Sequence, residues 1–235
     1  MAPAVTGAEV RAEWSRRFGR PGPGAIICVG LNYHDHAAEQ GVEAPTQPLL
    51  FSKLPNTLSG PGEAIALPPE SGHVDGEAEL AIVIGTRARR VSRADALGVV
   101  AGYVCANDVS ARDIQFEDGQ WLRGKSFDGF CPLGTSPVGT AELGDASGLR
   151  IVQRVNGVVL QDSSTDDLIF GVAELVAYAS NVTTLEPGDL ILTGTPAGVG
   201  IFRDPPVPLR PGDVVEIEIE GIGTLVNPVV AEAAG

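Results

Sequence analysis

The chain has 235 residues, 43% of them hydrophobic, and a formal net charge of −14. That length suits one large domain or two small ones, and that apolar fraction supports a substantial core. The negative charge argues against nucleic acid and anionic membrane as partners, and no apolar stretch approaches the length of a membrane span.

The opening MAPAVTGAEVRAEWSRRF lacks an apolar signal core, which points to the cytoplasm. Residues 7 to 18 read as a short amphipathic helix or arm. GPGAIICVGLNY holds a turn and then a short strand from Ala25 to Val29, and HDHAAEQG reads as a helical turn or two stopping at Gly41. PTQPLLFSKLPNTLSGPGEAIALPP is strand and loop, heavily punctuated. Leu80 to Ile84 is an apolar run that ends at Gly85, the signature of a buried strand. SRADALGVVAGYVCANDVS suggests a short helix starting near Ser92 or Arg93, then a strand from Gly102 to Asn107. LRIVQRVNGVVLQDSST is a hairpin joined at Asn156-Gly157, a type I′ turn signal. DLIFGVAELVAYASN has apolar residues at helical spacing and is the strongest helix. LEPGDLILTG and LRPGDVVEIEIEG each set a Pro-Gly-Asp turn ahead of a strand. The 30 glycines and 18 prolines are spread along the chain, which fits many short strands and turns. The expected class is α+β, mainly β, with a few short helices. Cys28, Cys105 and Cys131 follow no ligand spacing and sit among apolar neighbours, so buried free thiols are expected.

Two motifs look chemical without the context to match. GQWLRGKS fits the phosphate-loop pattern, but no strand leads into it, and its bulky residues ill suit a nest of amides. GKSFDG has one residue too many for a nucleophile elbow. GTPAGVG, Gly194 to Gly200, is weak as a phosphate loop but plausible as a tight turn with exposed amides near a ligand.

VDGEAELAIVIG raises a sharper question. In a strand Glu77 and Glu79 point to the same face, and like charges entering a core repel. Either the strand end frays and both sit in water, or a cation lies between them. Asp108, at the end of the strand in CANDVSARD, could be a third ligand or could merely close an Asx turn. Three carboxylates without histidine or cysteine would select Mg²⁺ or Mn²⁺, with Ca²⁺ possible. His36 and Glu39 lie three apart on one helical face, either an ordinary surface pair or a carboxylate-oriented general base. Lys125 could pair with an anionic substrate or with the carboxylates.

Taken in order, GLNYHDHAAE, LLFSKLPNTLSGPGEAI, VDGEAELAIVIG, GYVCANDVSARDIQ, WLRGKSFDGFCPLG, VNGVVLQDSSTDDLIF and LEPGDLILTGTPAGVG resemble the fumarylacetoacetate hydrolase family across residues 25 to 230. The resemblance implies a mixed β-roll, a homodimer and a Mg²⁺ or Mn²⁺ cofactor. It divides the chain into an arm (1–24), a catalytic domain (25–230) and a tail (231–235). It implies Glu77, Glu79 and Asp108 as metal ligands, Lys125 beside metal and substrate, and His36–Glu39 as an acid–base dyad on a mobile lid. Thr195, and with them Gln115 and Lys53, match substrate-pocket positions. Two departures from the family pattern are read: the extra N-terminal domain of longer members is not expected in this sequence, and Gly129 stands where threonine is frequent, which is expected to change the pocket wall and substrate choice. Family substrates are 2-oxo acids or β-dicarbonyl relatives that react by way of an enolate. The dyad favours hydrolysis of a C–C bond in an acylpyruvate-like or fumarylacetoacetate-like substrate. Isomerisation of 2-hydroxyhepta-2,4-diene-1,7-dioate in aromatic catabolism and oxaloacetate decarboxylation are the alternatives. A metal-stabilised binding protein is the non-enzymatic one.

Overall fold

A computed structural model describes residues 7–233. Residues 1–6 of the expected arm and 234–235 of the expected tail lie outside the described residues.

Side-chain alternation decides the architecture. In the strand Ala78–Ile84, Leu80, Ile82 and Ile84 join one apolar cluster while Ala81 and Val83 join another. A strand buried on both faces belongs inside a sheet with a layer on each side. The first sheet runs Leu49–Lys53, Ile26–Gly30, Leu190–Leu192, Ala78–Ile84, Val100–Asn107. The second runs Val158–Ser164, Arg150–Val155, Val214–Ile219, Gly223–Ala231, Ile65–Leu67. Ile151, Ile217, Ile219 and Leu225 of the second sheet meet Leu80, Ile82, Tyr103 and Cys105 of the first in a shared core. Leu175, Val176 and Ala179 of the helix Val172–Val182 close that core. The result is the expected mainly β fold, a mixed β-roll with short helices at its margins.

The helix Gly7–Phe18 covers the other face of the first sheet. Its Val10 and Trp14 are fully buried in the cluster that holds Cys28, Val83 and Leu192. The Trp14 indole donates to the Gly188 carbonyl at 2.9 Å.

The Asn156-Gly157 turn is as read, with φ of +52° and +77° and Val155 paired with Val158. All three cysteines are free and buried. Other boundaries differ from expectation for local reasons. The helix in DLIFGVAELVAYASN starts only at Val172, because Asn32 takes the Ile169 and Phe170 amides and holds that stretch extended. Near Ser92 there is a turn closed by Ser92 and Asp95, and then a 3₁₀ helix, Ala96–Val99; the strand begins at Val100. Arg112–Asp118 and Leu122–Lys125 are helices that periodicity did not reveal.

Pairing direction sets where chemistry can gather. Leu190–Leu192 runs parallel to Ile26–Gly30, and Ala78–Ile84 runs antiparallel to Leu190–Leu192 and to Val100–Asn107. Residues following three of these strands therefore meet the residues that precede the fourth.

Candidate active site

At that end of the sheet stand Glu77, Glu79 and Asp108, all buried, each offering an oxygen within 4.8 Å of the others. Backbone and side-chain bonds fix the group. The Asn107 side chain accepts the Glu77 amide at 2.9 Å, and the Asp108 amide donates to the Glu77 carbonyl at 3.0 Å. Two residues of separation put both glutamates on one face, as the strand period requires.

The carboxylates are unequally compensated. Lys125 donates to Glu77 at 2.8 Å and to Asp108 at 2.9 Å. Lys53 donates to Asp108 at 2.6 Å and to the Val109 carbonyl at 3.0 Å. Arg112 lies 2.6 Å from Glu77. Burial alone would raise the Glu77 carboxyl, but Lys125 and Arg112 hold it down at about 2. Glu79 is the opposite case. Burial pushes its carboxyl well above the usual range, and Asp108 and Glu77 add to the effect. Among the described residues no lysine or arginine bonds Glu79; the Gly194 amide does, at 2.7 Å. A buried carboxylate facing two others is a place for a cation, and an all-oxygen donor set suits a hard divalent ion. The triad could hold one.

Arg112 and Asp75 escaped the sequence reading. Asp75 accepts from Arg112 Nε and Nη2, both at 3.3 Å, and from the Gly200 and Ile201 amides at 3.0 Å. Arg112 also donates to Gln115 at 3.2 Å. Only the ARDIQ segment's helical turn, which places Arg112 and Gln115 three apart, could have hinted at this.

The helix His34–Glu39 brings the second chemical group. His36 Nδ1 stands 2.8 Å from Glu39 Oε2. Glu39 Oε1 accepts the Gly198 amide at 2.8 Å. Asp35, on the same helix, accepts from the Ala197 amide at 3.1 Å and from Ser163 at 2.8 Å. GTPAGVG is thus a row of amides, as expected, but their acceptors are Glu79, Asp35, Glu39 and Asp75. Its glycines are required. Gly194 and Gly198 have φ of +98° and +104°, and a Cβ at Gly198 would lie 2.1 Å from the Leu160 carbonyl oxygen.

Glu77 and Glu79 of the triad and His36 of the dyad line one cavity of about 170 Å³, with Arg112, Lys125 and, on its apolar side, Trp121 among others; Asp108 and Glu39 do not line it and act on it through their bonds to Lys125 and His36. Gln115 and Thr195 also line it. Thr195 donates to the Ala78 carbonyl at 2.9 Å and accepts from Gln161 at 2.8 Å. Lys53 does not line it; it is buried behind Asp108. Gly129 does not line it either, so the expected change to the pocket wall is absent, and its φ of +74° fits a turn. GQWLRGKS follows a helix and forms a single turn around Lys125, which rules out a phosphate loop.

Residues 25–230 match the family model described as fumarylacetoacetate (FAA) hydrolase C-terminal. The chain belongs to the fumarylacetoacetate hydrolase family. It is 50% identical over 210 residues to the protein of Bos taurus named oxaloacetate tautomerase FAHD2A, mitochondrial, which covers 88% of this chain and 67% of that one. Its identity to the Homo sapiens FAHD2A counterpart is 48% over the same shares. Among solved structures, 2-hydroxyhepta-2,4-diene-1,7-dioate isomerase from Mycobacterium marinum superposes with a TM-score of 0.80 at 44% identity, covering 90% of this chain and 76% of that one. Fumarylacetoacetate hydrolase from Exiguobacterium antarcticum gives 0.82 at 43%, with the same coverage. The chain is an enzyme of this family. Among the described residues no helix is long and apolar enough to cross a membrane.

Proposed function

We propose that this enzyme interconverts the enol and keto forms of a small 2-oxo diacid of the oxaloacetate class, with His36 carrying the proton. The observation that carries this reading is that His36, bonded to Glu39, shares the wall of one 170 Å³ cavity with Glu77 and Glu79 of the carboxylate triad. That volume is below the range of pockets for drug-sized ligands and suits a substrate of a few carbons. The names of the 50%-identical relatives support the same chemistry.

A carboxylate only accepts hydrogen bonds, so Glu39 keeps the proton of His36 on Nδ1 and leaves a lone pair on Nε2. Nε2 takes the enol hydroxyl proton, Glu39 stabilises the resulting imidazolium, and Nε2 returns a proton to carbon 3. The Gly198 amide keeps Glu39 from turning away. Lys125 sets positive charge beside the substrate oxygen. Gln115 orients the carboxylate end, Thr195 shapes the wall beside it with its hydroxyl proton held by the Ala78 carbonyl, and Lys53 positions Asp108 from behind. A Mg²⁺ or Mn²⁺ ion held by Glu77, Glu79 and Asp108 would supply Lewis-acid stabilisation of charge on the 2-oxo oxygen.

A second reading, hydrolysis of an acylpyruvate C–C bond, is favoured by the apolar wall of Leu49, Phe51 and Trp121, which suits an acyl tail. In that case Nε2 would take its proton from water. The homodimer implied by the family belongs to the proposal and is read by sedimentation.

The test follows decay of enol absorbance for oxaloacetate, with Mg²⁺ added, for wild type and His36→Gln. We expect metal-dependent acceleration that falls by about 10²- to 10⁴-fold in the variant. Decay at the enzyme-free rate, with pyruvate released from an acylpyruvate instead, would replace the tautomerase reading with the hydrolase one.

A further inference from the structure

The nitrogen assigned to proton transfer is already engaged. His36 Nε2 lies 2.8 Å from the side-chain amide nitrogen of Gln40. Because Nδ1 keeps its proton against Glu39, Nε2 is the acceptor, and Gln40 donates. An imidazole nitrogen has one lone pair. It cannot accept from Gln40 and take a substrate proton at once. Gln40 closes the short helix, with Gly41 at φ of +67° next to it, and its side chain lines the cavity. Its amide can therefore leave His36 without leaving the cavity. The Phe202 ring, 5.9 Å from the imidazole, and Glu39 hold His36 in place when it does.

We propose that Gln40 is an exchangeable cap on the base: it shields the His36 lone pair between turnovers and passes its N–H to a substrate oxygen on binding. Substrate arrival then frees the base, and the same hydrogen bond that protected it contributes to affinity. The proposal rests on the reading of His36 as proton carrier.

The test uses the Mg²⁺-loaded protein and diethyl pyrocarbonate, which acylates a histidine nitrogen only through a free lone pair. The chain has three histidines, so mass spectrometry with fragmentation separates them, and exposed His34 is the internal reference. Gln40→Met keeps the side-chain length and removes the donor. We expect acylation of His36 relative to His34 to rise about tenfold, and kcat/KM to fall about tenfold with the loss carried by KM. Acylation of His36 at the wild-type rate in Gln40→Met overturns the cap, whatever His36→Gln does to turnover. Full turnover in His36→Gln overturns the role of His36, whatever the acylation rate.

Discussion

Glu77 and Glu79 leave the same strand end on the same face, yet their surroundings ask for opposite substitutions. Glu77 is bonded by Lys125 and Arg112, and its removal would leave two buried cations short of charge. Glu79 has the Gly194 amide and two neighbouring carboxylates. Replacing Glu77 by Gln breaks a buried ion network, a loss of about 3 kcal/mol, which for a chain of this size lowers Tm by roughly 10 °C. Replacing Glu79 by Gln removes like-charge repulsion, keeps an acceptor for Gly194, and presents a donor to Asp108 and Glu77. The metal-free Glu79→Gln protein should melt no lower than wild type, but it should lose the rise in Tm that Mg²⁺ gives wild type. Calorimetry with and without Mg²⁺ reads both. Equal destabilisation by the two variants would show that Glu79 is as well compensated as Glu77.

The 194–201 segment does at the level of an element what no single side chain does. Its amides bond Glu79, Asp35, Glu39 and Asp75, so one loop orients the triad, the dyad and the partner of Arg112. The two ends of the loop serve different groups, and that separates their effects. Gly198→Ala must move its Cβ away from the Leu160 carbonyl at unfavourable φ, a strain of about 1–3 kcal/mol. We expect Tm to fall by roughly 5 °C and turnover by at least about tenfold as Glu39 loses its amide. The Mg²⁺-induced rise in Tm should persist, because Gly194 still holds Glu79. Loss of the metal response together with turnover would mean that the loop moves as one body. This division also explains what the sequence made legible. Glu77, Glu79 and the His36–Glu39 pair were readable because strand and helix periods place them within a few residues of each other. Asp75 and Arg112 were not, since their bond spans 37 positions and depends on the Val74–Asp75 and Ser110–Ala111 pairing. The amide acceptors were hidden for another reason: a backbone donor has no residue identity, and only the two glycines marked the place. The helix Arg112–Asp118 lacked an apolar stripe because two of its buried residues, Arg112 and Gln115, are polar.

Across the whole molecule the first sheet separates two apolar layers, and the site belongs to the outer one. Glu79 shares its face with Ala81 and Val83, which lie with Trp14, Cys28 and Cys131 beneath the helix Gly7–Phe18. Cys105 points the other way, into the core between the sheets. The thiols can therefore report each layer by itself. Burial pushes the Cys105 and Cys131 thiols up to about 12 and the Cys28 thiol well above its usual value. In the folded protein all three stay protonated and unreactive through mildly alkaline pH, and as pH rises past the ordinary thiol range the unfolded chain loses protons first, so stability falls. Trp14→Ala deletes a fully buried indole and its bond to Gly188, a loss of about 3–5 kcal/mol. Below the new melting temperature we expect Cys28 and Cys131 to react with a disulfide reagent while Cys105 stays protected, because only the outer layer has lost its cover. Alkylation followed by peptide mass spectrometry identifies which thiols react. Simultaneous reaction of all three would mean that the two layers unfold as one unit and that the outer helix is part of a single cooperative core. Reaction confined to the outer pair would mean that the sheet insulates the core from the layer that carries the site, so that the enzyme can loosen around its substrate without loosening its fold.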